Sequence, residues 1–97
     1  MAVLLYFIPM AIAQSGLNLP KDNPDIAKEK YVILSDNHDS DIEQEYKEAY
    51  ACFEWIEANA PDLHETVYIF GLKTIKTMIE HDPDNKKLQD RLMETYD

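Results

Sequence analysis

Residues 53–65 read FEWIEANAPDLHE, and the parsing of this stretch decides the fold. An aromatic, apolar run ends at Asn59-Ala60-Pro61, and an acidic restart follows at once. Proline disfavours the α conformation in the residue before it, so a helix arriving from the N-terminal side stops there. Asp62, with Glu65 three residues on, makes a capping-box-like start that suits the positive end of a helix. The stretch is expected to be a tight joint between two helices.

Upstream of the joint, Ile42, Tyr46, Ala49, Phe53 and Ile56 step by four, three, four and three, an amphipathic seam. Tyr50 and Trp55 widen the apolar surface on either side, so this helix is expected to be contacted from two directions. Ser40 or Asp39 is its expected cap, at the end of the polar break Asp36–Asp41. Further upstream, Asn23 and Pro24 read as an N-cap and a first helical residue, with Ile26, Tyr31 and Leu34 on one face. The β-branched run Tyr31–Leu34 also admits a short strand; the start signal and the lack of a partner strand favour helix.

Downstream, Leu63, Val67, Phe70, Thr74 and Met78 mark one face of a third helix ending near His81, and Tyr68, Leu72, Ile75 and Ile79 broaden it. Asp82-Pro83 repeats the cap-then-proline start and opens a fourth helix with the stripe Leu88, Leu92, Met93 and Tyr96. That pattern is still running at Asp97, so the helical array is expected to continue beyond it.

Composition agrees with an all-α domain. The 97 residues include only two glycines, Gly16 and Gly71, which favours long helices over a turn-rich β fold. Nine basic against nineteen acidic residues give a formal charge of −10. Nucleic-acid backbone binding needs Lys and Arg to displace counterions, and anionic lipid needs the same, so neither is an expected partner.

Residues 1–13, MAVLLYFIPMAIA, read as a signal peptide. The apolar run Ala2–Ile8 falls far short of the roughly 20 residues that span a bilayer. Pro9 breaks it, and Ala11-Ile12-Ala13 is an A-x-A cleavage pattern that leaves Gln14 as the first mature residue. No Lys or Arg precedes the run, so a start upstream of Met1 would supply the positive region of such signals. A buried N-terminal helix or strand is the alternative reading. Residues 14–22 read as a polar, mobile linker and residues 23–97 as the helical domain. The mature chain is expected to carry no integral membrane span.

The joint resembles that of the tetratricopeptide repeat. Ala49, Phe53, Ile56 and Pro61 occupy that family's spacing, although Ile56 is bulkier than its usual alanine. Phe70-Gly71 stands where the family places a large apolar and then a small residue, ten positions past the proline. Val67 and Thr74 depart from the family's Trp and Tyr, the helix after Pro61 is long, and no second clean copy follows. The segments ANAP, VYIFGLKTIKTMIE and LMETYD look like those of exported bacterial proteins with degenerate repeats of this kind. The resemblance, over about residues 24–97, implies antiparallel helical hairpins stacked as a right-handed solenoid fragment. It also implies a scaffold for protein or peptide partners in the cell envelope or periplasm, with no catalytic residues and no cofactor.

Candidate chemistry is sparse. The acidic run Asp36, His38, Asp39, Asp41, Glu43 and Glu45 would suit calcium by composition. It lacks the glycine and glutamate places of an EF-hand loop, so a solvated helix start is the preferred reading and a metal- or ligand-binding domain the alternative. His38, His64 and His81 have no zinc-hydrolase spacing, and no nucleophile elbow, P-loop or dinucleotide motif is present. Cys52 has no basic neighbour in sequence and reads as core. Tyr50, Trp55 and Tyr68 are the candidate protein-binding residues, with Trp55 foremost because it lies off the main seam.

Overall fold

The computed structural model describes residues 16–96, so the signal-peptide reading of residues 1–13 lies outside the described residues. Four helices follow one another: α1 (Pro24–Asn37), α2 (Glu43–Asn59), α3 (Thr66–His81) and α4 (Lys86–Tyr96). No strand occurs among the described residues, and Tyr31–Leu34 lies inside α1. α1 packs on α2, α2 on α3 and α3 on α4, while α1 also reaches α3.

Pro24 opens α1 as expected. Asn23 serves differently from a side-chain cap. Its backbone is left-handed, at φ 56° and ψ 47°, and its side chain makes no capping bond. Asparagine is among the few residues that tolerate that conformation. Its carbonyl accepts the Ala27 N–H at 3.1 Å. The buried face of α1 is Ala27 and Leu34 with half-buried Tyr31; Ile26, one step off, faces solvent.

On α2 the seam is buried at Tyr46, Ala49, Phe53 and Ile56, joined by Cys52. Ile42 is not part of it. It precedes the first turn and stays 59% exposed. Neither Ser40 nor Asp39 caps α2: Ile42 holds the N-cap position with no side-chain cap, while the Ser40 hydroxyl, two residues earlier, accepts the Ile42 N–H at 3.1 Å and donates to Glu45 Oε1 at 2.7 Å.

The joint keeps its proline break but moves its restart. α2 ends at Asn59, and Ala60 donates its N–H to the Ile56 carbonyl at 2.7 Å. The next helix begins only at Thr66, and Asp62 does not cap it. Glu65 holds the N-cap position without a side-chain cap, and His64 before it serves the first helical N–H, its Nδ1 accepting from Thr66 at 3.1 Å. Leu63 is thereby left in the turn with its side chain fully buried, as though it were still on the helix face. The same displacement recurs after Pro83, where Asn85 Oδ1, not Asp82, accepts the Leu88 N–H at 3.3 Å. On α4 only Leu88 is buried; Leu92 packs partly against the core, and Met93 (64% exposed) and Tyr96 point outward.

Phe53 is the centre of the molecule. The ring lies directly on Gly71 of α3, where an added Cβ would stand 2.5 Å from Cδ1 and 2.6 Å from Cζ. Tyr68 meets it edge-on with centroids 6.1 Å apart, and the Arg91 guanidinium of α4 sits 5.1 Å from its centroid. Gly71 therefore has the close-approach role that the sequence makes available to it, which offsets the roughly 1 kcal/mol a mid-helix glycine costs.

Candidate functional site

The three candidate binding residues fall on two separate flanks. Tyr50 stands on the α4 side of α2, in a cleft of about 470 Å³ shared with Asn85, Leu88 and Arg91. Tyr68 begins α3 and lines a second cleft of about 480 Å³ with Asn18, Pro61 and His64. Trp55 lines neither. It packs partly against the core one turn beyond Cys52, whose thiol feels the charges of Lys30 and Glu29 on α1.

The Tyr50 and Tyr68 hydroxyls are both electrostatically placed. Burial raises the Tyr50 hydroxyl above the usual tyrosine range, with Glu54 adding to it. Burial likewise raises Tyr68, helped by Glu57 and Asp62, and its hydroxyl donates to the Pro61 carbonyl at 2.8 Å. Each is an amphipathic surface with a polar tip, the kind of side chain that serves contact surfaces. Between them lies a pair that sequence reading did not single out. Arg91 donates to Glu57 Oε1 at 2.5 Å and to Thr95 Oγ1 at 3.0 Å. Burial works against the Arg91 charge, but Glu57 and Tyr50 outweigh it, and the guanidinium is held more firmly protonated than usual. Its one advance signal is that Arg91 is the sole arginine of the chain.

A third cleft, of about 500 Å³, lies beside His81, which stacks on Tyr46 with centroids 5.0 Å apart. It shares Asn85 and Leu88 with the Tyr50 cleft, so the two form one groove between α2 and the start of α4. The groove is open and of mixed charge. It has the form of a surface cleft, and it assembles no nucleophile with a base.

The acidic run at 36–45 is dispersed. Glu43 binds Lys47 at 2.6 Å, which lowers the carboxyl's pKa by hydrogen bond and charge. Glu45 accepts from Ser40, and Asp41 lies 3.8 Å from His81. The His38 Nδ1–H donates to the Ser35 carbonyl at 2.7 Å, and its ring stacks on Phe70 at 4.2 Å. Among the described residues, no three potential ligands converge on a metal position. Cys52 is buried, and burial raises its thiol above the ordinary range, so it is poorly nucleophilic. No helix of the described residues is long and apolar enough to cross a membrane.

Comparison with protein-family models, curated proteins and solved structures gives no match.

Proposed function

We propose that this protein is a non-catalytic interaction scaffold of the bacterial cell envelope, exported through its N-terminal segment. In this reading its helical hairpins stack in the manner of tetratricopeptide repeats, and it binds protein or peptide partners through Tyr50, Trp55 and Tyr68. The observation that carries the reading is the Gly71–Phe53 approach at the joint, at the spacing that resembles that family. Supporting it, α1 reaches past α2 to α3, and Arg91 of α4 reaches past α3 to Glu57 of α2, the next-but-one contacts that stacked hairpins make. The alternative, a metal- or ligand-binding domain working through the acidic loop, gains no support from the dispersed side chains at 36–45.

The test is capture from bacterial envelope extracts by the wild-type protein and by Tyr50→Ala, Trp55→Ala and Tyr68→Ala variants, each shown to be folded. A defined set of partners, lost in at least one variant, is expected. Recovery of the same background set by all four proteins would remove the reading's support.

A further inference from the structure

We propose that Gly16–Leu19 is a built-in peptide ligand for the α2–α3 joint, displaced in use by a partner's extended segment carrying an apolar residue followed by asparagine. This rests on the scaffold reading and names the chemistry of one of its partners.

Backbone carbonyls find donors in the protein or in water, and the joint's six can be accounted for one by one. Ala60 O accepts from the Leu63 N–H and Pro61 O from the Tyr68 hydroxyl. His64 O and Glu65 O accept from the N–H groups of Val67 and Tyr68. Asp62 O and Leu63 O remain, and nothing within the joint serves them. Asn18 serves both: its backbone N–H reaches Leu63 O at 2.8 Å and its Nδ2 reaches Asp62 O at 3.0 Å. Leu17, just before it, packs partly against the core. The part of the linker from Gly16 on is thus docked, where its composition suggested a mobile tether.

This seat has the properties of a recognition site. It presents two consecutive acceptors, which only a residue with donors on both backbone and side chain can satisfy together. Asparagine fits; aspartate lacks the second donor and would bring a carboxylate against the Asp62 carbonyl. Leu63 is fully buried with the segment docked, so the segment's departure leaves the Leu63 carbonyl open to another N–H donor in competition with water. The present hold is local, two hydrogen bonds and one half-buried leucine, of the kind that opens without global unfolding. Beside it the Tyr68 cleft leaves room for further residues of a longer peptide.

The experiment uses the full chain and a labelled peptide of residues 16–21, GLNLPK, added in trans. The double variant Leu17→Ala, Asn18→Asp empties the seat without touching residues 60–68; Asn18→Asp alone serves if the double variant is unfolded. The emptied variant should bind the peptide at least tenfold more tightly than wild type does, with amide shifts centred on residues 60–68. The same peptide with aspartate for asparagine should bind at least tenfold more weakly. Equal affinity for wild type and variant, or binding to neither, overturns the proposal. So does a wild-type dimer that the peptide dissolves, since that would show the segment exchanging between copies. If envelope partners are still captured through Tyr50 or Trp55 while the peptide fails to bind, the proposal falls and the scaffold reading stands.

Discussion

Gly71 shows how a single missing side chain can hold two helices together. A methyl group there would enter the Phe53 ring, which is fully buried and has nowhere to retreat. Overpacking of this kind costs about 1–3 kcal/mol, against roughly 1 kcal/mol returned by alanine's better helix propensity. Gly71→Ala should therefore lose up to about 2 kcal/mol in urea unfolding. Combining it with Phe53→Leu should give a double-mutant coupling above about 0.5 kcal/mol; strict additivity would refute the contact. The tyrosines give a prediction of opposite pH sense to acid unfolding. Tyr50 and Tyr68 are both raised, chiefly by burial, so the folded chain holds their protons more tightly than the unfolded chain. Their contribution is complete below the unfolded value of about 10 and is lost as pH rises through the folded values. Melting temperatures followed into alkali should fall, and Tyr68→Phe should flatten that fall.

At the level of the helices, apolar periodicity made existence and facing legible, while the starts were not. Tyr46, Ala49, Phe53 and Ile56 are buried as their spacing demands, and so are Val67, Thr74 and Ile75. A buried face is set by many residues at once, so one exception such as Ile42 does not move it. A start depends on which single side chain reaches a free N–H, and aspartate before or after proline was the obvious candidate. The chain uses His64 and Asn85 instead, because the turns after Pro61 and Pro83 run on before helical geometry resumes. Asn85→Ala should accordingly cost about 1 kcal/mol. Asp62→Ala should stay within about 0.5 kcal/mol of wild type, since only the backbone carbonyl of Asp62 is engaged. Equal losses from the two would return the cap to the aspartate. The clefts were less legible than the helices. Tyr50 and Tyr68 could be picked out as aromatic, but their separation from Trp55 follows from how α3 and α4 wrap one side of α2.

For the molecule as a whole, Arg91 is the long-range tie. Its side chain is 15% exposed, against 38% for Glu57, so the pair is neither a fully solvated bridge nor a deeply buried one. A hydrogen bond to a charged group in such a setting contributes about 1.5–3 kcal/mol. Arg91→Met keeps apolar cover over Phe53 while removing the charge. It should speed amide exchange in α4 by at least about tenfold, the equivalent of about 1.4 kcal/mol. Exchange in α1 should hold steady; uniform acceleration across the chain would mean that the tie supports global stability and not the docking of α4. The placement of Trp55 bears on how any such unfolding can be watched. It is the only tryptophan, it packs partly against the core from α2, and it lies outside the clefts that Tyr50 and Tyr68 line. With one indole in the chain, tryptophan emission reports on the surroundings of α2 alone, while the tyrosines, present on all four helices at Tyr31, Tyr46, Tyr50, Tyr68 and Tyr96, report on the whole bundle, so one unlabelled sample can reveal whether α2 loosens with the rest or apart from it.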